Sequence, residues 1–156
     1  MENEMEYIQQ VIQQYKADIA PLLRYLPWLR SKSGSAVSTI YNGQNIAETS
    51  ITFPVYDGTL LNFVREASKT PLMERNYQYV YTRNYIRTHK DEKKVIEKAT
   101  WREWNLLRGI ISKYVLGGRT KATLWNEAMQ EGIFYLVLDK MVQIIEYWER
   151  AWNEEK

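Results

Sequence analysis

Ile133-Phe134-Tyr135-Leu136-Val137-Leu138-Asp139-Lys140-Met141-Val142-Gln143-Ile144-Ile145-Glu146-Tyr147-Trp148 is the stretch on which the fold turns. Phe134, Val137, Met141, Ile144, Ile145 and Trp148 fall on one side of a helix, and Leu136, Leu138 and Val142 carry the apolar surface further round it. A helix apolar over so much of its circumference belongs at the centre of a bundle, because one neighbour cannot cover it. After Trp148 the chain turns acidic, and the helix is expected to emerge into solvent.

Upstream, Thr100-Trp101-Arg102-Glu103 reads as a capping box, with the threonine oxygen accepting from the backbone and the glutamate reaching back. Trp104, Leu107, Ile111 and Tyr114 follow as one buried stripe, and Gly117-Gly118 is expected to end that helix in the left-handed conformation. Thr120 is the expected cap of a next helix carrying Leu124, Trp125 and Ala128 and stopping at Gly132. Further up, Asp57 is an N-cap for a helix with Leu60, Leu61, Phe63 and Val64 that ends before Thr70-Pro71. Another helix is expected from Pro71, with Tyr77, Tyr81 and Tyr85 on one face. Tyr77, Tyr79 and Tyr81 also alternate as a strand would.

At the amino-terminal end Met5, Ile8, Ile12, Tyr15, Ile19, Leu22 and Leu26 recur every three or four residues, one helical stripe. Pro21 removes an N–H and disfavours helix at Ala20, so a break is expected there, with a short second helix over residues 21–30. Residues 31–53 are rich in Ser, Thr and Gly. There Asn42-Gly43 is a type I′ turn pair, and residues 37–41 and 50–55 are strand candidates flanking a longer connection, with an ordered loop as the alternative. The expected architecture is mostly α: a single domain over residues 1–156, built as one compact bundle of five to seven helices, with a small β-hairpin or long loop at 31–56.

Composition narrows the function. With no cysteine, disulfide scaffolds, thiolate zinc sites and cysteine nucleophiles are excluded. The opening Met1-Glu2-Asn3-Glu4-Met5-Glu6 is acidic where a signal peptide is basic, and the longest apolar run, Ile133 to Leu138, falls far short of the roughly 20 residues a membrane span requires. A cytoplasmic protein without membrane partners is the expectation. The net charge of +2 hides an uneven distribution. Arg75, Arg83, Arg87, Lys90, Lys93, Lys94, Lys98, Arg102, Arg108, Lys113, Arg119 and Lys121 face only Asp91, Glu92, Glu97 and Glu103 within that span, while residues 127–156 are acidic.

Catalytic chemistry is thinly represented. His89 is the one histidine, and beside Lys90 and Asp91 it reads as part of a polar helix end. Asp91 and Glu92 are adjacent and face different directions, which argues against a metal site with His89. Glu127 with Glu131, and Glu146 with Glu149, read as solvated helix faces. No cofactor is expected. The candidate anion site is the turn Gly117-Gly118-Arg119-Thr120-Lys121, where glycine backbone, a following helix, two cations and hydroxyls suit a phosphate; Arg108 and Lys113 extend the basic surface. Basic residues interleaved with tyrosines over residues 77–108 suit nucleic acid, phosphates meeting the cations and unpaired bases the rings.

The run from Ser112 to Lys121, then Leu124-Trp125 and Glu131-Gly132-Ile133-Phe134, together with Phe53-Pro54-Val55-Tyr56, resembles a bacterial family of small helical proteins of unknown function, over roughly residues 53–148. That resemblance implies a small helical protein and carries no catalytic residue across. The functional expectation is therefore a non-catalytic binding or regulatory module contacting nucleic acid or an acidic partner through Arg108, Lys113, Gly117, Gly118, Arg119, Thr120 and Lys121. Two other readings stay open: a protein-interaction or inhibitor domain, homodimeric through the amino-terminal stripe, and an enzyme acting on a phosphorylated small molecule.

Overall fold

The amphipathic stripes become helices that wrap the apolar segment near the carboxyl end. The computed structural model describes residues 2–34, 38–42, 52–121 and 123–155. Helix α1 (Glu2–Ile19) runs into a 3₁₀ turn (Ala20–Tyr25), then α2 (Leu26–Lys32). Pro21 sits in the first turn of the 3₁₀ segment, where its missing N–H leaves no bond unmade. Strands β1 (Ser38–Asn42) and β2 (Thr52–Tyr56) pair antiparallel, Ser38 opposite Tyr56 and Asn42 opposite Thr52. Residues 43–51, with the expected Asn42-Gly43 turn, lie outside the described residues, and the paired strands flank a longer connection, as the sequence suggested.

Helix α3 (Gly58–Ala67) begins where Asp57 accepts from the Thr59 N–H at 2.7 Å, the expected cap. Residues 71–76 form turns rather than the expected helix, and the tyrosine segment is helical only as α4 (Tyr77–Arg83). Then come α5 (His89–Lys98), a 3₁₀ turn (Trp101–Glu103) carrying the Thr100–Glu103 capping box, α6 (Trp104–Gly117), α7 (Leu124–Gln130) and α8 (Ile133–Glu155). The protein is mostly α. Among the described residues no helix is long and apolar enough to cross a membrane.

Helix α8 is central: α1, α2, α5, α6 and α7 all pack on it. Phe134, Val137, Leu138 and Met141 are fully buried on it, each contributing about 1.5–3 kcal/mol of apolar burial. Phe134 meets Phe63 edge-on at 5.1 Å and Tyr114 at 6.4 Å, tying α3 and α6 to α8. The amino-terminal stripe is spent within the chain, with Ile8, Ile12, Ile19 and Leu22 buried and α1 packed on α8.

Two close approaches position the remaining elements. Helix α4 lies tight on α6 because residue 109 is glycine: a Cβ there would stand 2.6 Å from Val80 Cγ1. The expected left-handed stop at Gly117-Gly118 does not occur, since Gly118 is right-handed at φ −66° and Gly34 and Gly132 are the glycines of positive φ among the described residues. Gly118 is glycine for room, the Trp125 indole Nε1 lying 2.1 Å from where a Cβ would stand. Thr120 does not cap α7 either. The N-cap residue is Thr123, without a side-chain bond, and the Thr120 hydroxyl donates back to the Gly117 carbonyl at 3.2 Å.

Candidate functional site

Helix α5 is phased by its own cap. The Thr88 oxygen accepts from the Asp91 N–H at 3.1 Å, and the Asp91 carboxylate accepts from the Arg87 and Thr88 N–H groups at 3.0 and 3.2 Å. Those bonds hold the Asp91 carboxyl below its ordinary range. With Asp91 turned to the cap, the helical period carries His89 and Glu92 inward as an i, i+3 pair.

Glu92 is only 1% exposed, and its partners come from three helices. The Tyr81 hydroxyl on α4 donates to Oε2 at 2.5 Å, the Tyr114 hydroxyl on α6 lies 2.8 Å from both oxygens, and His89 Nδ1 lies 2.8 Å from Oε1. Lys113 Nζ stands 3.7 Å from Oε2, over the rings of Tyr81 at 4.6 Å and Tyr114 at 5.0 Å. A buried carboxylate without donors would be costly; this one is met by hydroxyls, imidazole and a nearby ammonium. Burial, and next the charge of Glu92, push both phenols far above the ordinary tyrosine range, so they remain donors. On its other side, His89 Nε2 faces Glu127 Oε1 on α7 at 2.8 Å. One imidazole thus bridges a buried carboxylate and a half-exposed one.

This network backs a cleft of about 570 Å³ lined by Tyr77, Tyr81, Lys113, Thr120, Lys121 and Glu127, among others. A larger hollow of about 660 Å³ lies near Trp101, Tyr147 and Trp148, but no titratable group lining it is buried. The buried polar network adjoins the smaller cleft, through Tyr81, Lys113 and Glu127. Among the described residues no three His, Asp or Glu side chains are arranged to hold a metal ion.

The residues singled out from the sequence divide. Lys113, Gly117, Thr120 and Lys121 line the cleft. Arg108 does not join them: its guanidinium donates to the carbonyls of Pro71, Leu72 and Met73 at 3.1–3.2 Å and to Asn105 Oδ1 at 3.0 Å, clasping the turn before α4. Gly118 is covered by Trp125, and Arg119 lines a separate groove with Leu61, Arg65 and Trp125. The backbone cradle is absent, because the N–H groups of Gly118, Arg119, Thr120 and Lys121 already bond to the carbonyls of Tyr114, Leu116 and Gly117. An anion at this turn would rest on side chains.

Sequence reasoning missed His89, Glu92 and Glu127, reading the first as a polar helix end and the last as a solvated face. The available signal was the Thr88–Asp91 cap, which turns the His89–Glu92 pair inward.

Helix α4 and the residues after it carry a second feature. Tyr79 is 54% exposed with the Arg83 guanidinium 5.9 Å from its ring centre, and Tyr85 is 74% exposed with Arg87 at the same distance. Tyr85 is in the left-handed region at φ 56°. It occupies the position after the α4 C-cap, where the Ile86 N–H bonds to the Tyr81 carbonyl at 3.0 Å and the Tyr85 N–H to Thr82 at 3.3 Å. That is a Schellman turn, whose left-handed residue is usually glycine. No family model, curated protein or solved structure matches this chain.

Proposed function

We propose that this chain is a nucleic-acid-binding module that takes a single strand across α4 and the residues after it, bases stacking on Tyr79 and Tyr85 and phosphates meeting the arginines. The observation that carries this reading is the pair of exposed tyrosine rings, each with a guanidinium beside it. Residues 75–90 contain Arg75, Arg83, Arg87 and Lys90 and no acid, so the positive charge there is not cancelled within the segment. No ion pair engages those four side chains among the described residues. Exposed rings favour a single strand over a duplex, because only unpaired bases offer their faces.

The strain at Tyr85 supports the same reading. A non-glycine residue in the left-handed region costs about 1–2 kcal/mol, and such costs concentrate where a side chain is held out for use. An acidic protein partner would need the arginines but not the rings.

The test is fluorescence anisotropy of a labelled single-stranded oligonucleotide across a salt series. With four cations engaged, log affinity should fall against log salt with a slope of about −3, since a single strand contributes roughly −0.7 per phosphate. Tyr79→Ala and Tyr85→Ala should each weaken binding by about tenfold, stacking being worth about 1–3 kcal/mol per base. Arg83→Ala should flatten the salt slope. Absence of binding at low salt, or binding indifferent to both tyrosine substitutions, would overturn the proposal.

A further inference from the structure

The cleft presents three kinds of recognition. Lys113 and Lys121 bring ammonium groups from α6 and the turn after it, Lys113 standing 3.7 Å from Glu92 and Lys121 exposed, and together they suit an anionic group. Tyr77 and Tyr81 bring aromatic rings from α4, and Glu127 brings one carboxylate from α7. Two of these groups are held in advance. Lys113 is fixed against two tyrosine rings and the buried Glu92, and Glu127 is fixed by His89, which Glu92 orients from the other side. Rigid support of this kind is what a binding constellation requires.

A sugar phosphate would use the lysines and leave the rings without a partner. An aromatic carboxylate would use lysines and rings and repel Glu127. A nucleoside monophosphate satisfies all three if its base turns N–H donors toward the carboxylate. Guanine is the common base that offers two adjacent donors, N1–H and the N2 amino group, on one edge; adenine and cytosine pair one amino group with an acceptor, and uracil has a lone N–H between two carbonyls. A cleft of about 570 Å³ has room for one such nucleotide.

We infer that this cleft binds a guanosine monophosphate unit, its phosphate held by Lys113 and Lys121, its base set against Tyr77 and Tyr81 with the donor edge on Glu127. The unit is either free nucleotide or the end of a strand lying on α4, and only the second source rests on the nucleic-acid reading above.

Isothermal titration of the full chain with GMP, AMP, CMP, UMP, guanosine and inorganic phosphate tests the inference. GMP should bind about tenfold or more tighter than the other three nucleotides, the usual discrimination of a bidentate base contact. Glu127→Gln, which keeps an oxygen for His89, should abolish that preference. Lys121→Met, at an exposed position, should weaken GMP while leaving guanosine unchanged. An oligonucleotide ending in guanylate that binds tighter than GMP, and loses the excess in Tyr79→Ala, identifies the strand as the source. Equal affinities identify the free nucleotide. Oligonucleotide binding through Tyr79 and Tyr85 without any GMP binding would overturn this inference and leave the surface reading standing. Phosphate competing as well as GMP, with Glu127→Gln silent, would reduce the cleft to an anion site and overturn it as well.

Discussion

Tyr85 is where stability and the proposed function pull in opposite directions. At φ 56° its backbone occupies a conformation that costs a side-chain-bearing residue about 1–2 kcal/mol, while its ring, 74% exposed, contributes little packing beyond the Arg87 contact. Tyr85→Gly removes the strain. Against that stand the greater freedom of glycine in the unfolded chain, about 0.4–1 kcal/mol, and the lost cation–π contact, about 0.5 kcal/mol. Tyr85→Ala loses the same ring but keeps a Cβ in the left-handed region. The comparison of the two variants therefore isolates the backbone term: the glycine variant should be more stable than the alanine variant by about 1 kcal/mol, or about 2–4 °C in Tm for a chain of this size. Urea and thermal unfolding followed by circular dichroism measure it, and the m-value should stay constant. Both variants should lose oligonucleotide affinity equally, since both lack the ring. An alanine variant more stable than the glycine variant would refute the strain; a glycine variant that binds like the unsubstituted chain would refute its use.

Tyr114→Phe removes the hydroxyl that lies 2.8 Å from both Glu92 oxygens and should cost about 2 kcal/mol in urea unfolding, with most of that loss absent when the change is made on a Glu92→Gln background. Gly109→Ala puts a methyl 2.6 Å from Val80 Cγ1 and should cost about 1–3 kcal/mol while speeding amide exchange across α4; unaltered exchange there would contradict the close approach. Arg108→Lys gives up the fork of bonds to the turn at residues 71–73 and should destabilise the fold by about 2 kcal/mol without changing oligonucleotide affinity, the reverse of what a phosphate contact would do. The phenols of Tyr81 and Tyr114 are raised in the folded chain, so the stability they confer is complete below the unfolded tyrosine value of about 10 and is lost as pH rises beyond it; the double Tyr81→Phe, Tyr114→Phe variant should lose that alkaline slope in unfolding free energy measured across the range.

Much of the helical frame was legible in the residues themselves. The Asp57 cap, the Thr100–Glu103 box, the proline turn and the helix stop at Gly132 are events between neighbours along the chain, settled by backbone sterics and by oxygens reaching N–H groups a few residues away. The centrality of α8 was legible for a related reason: an apolar surface that wraps most of a helix has to be covered from several sides whatever covers it. The site was not. Glu92 draws partners from residues 81, 89, 113 and 114, and whether a carboxylate at that position meets water or two phenols depends on how closely α4 lies on α6. Gly117 and Gly118 carried a turn signal yet serve packing, and Arg108 carried charge yet serves the backbone of another segment. Local rules assign conformation because they act through bonds a few residues long, whereas the partner of a polar side chain is chosen by interhelical distances of a few ångströms, and those exist only once the bundle has assembled.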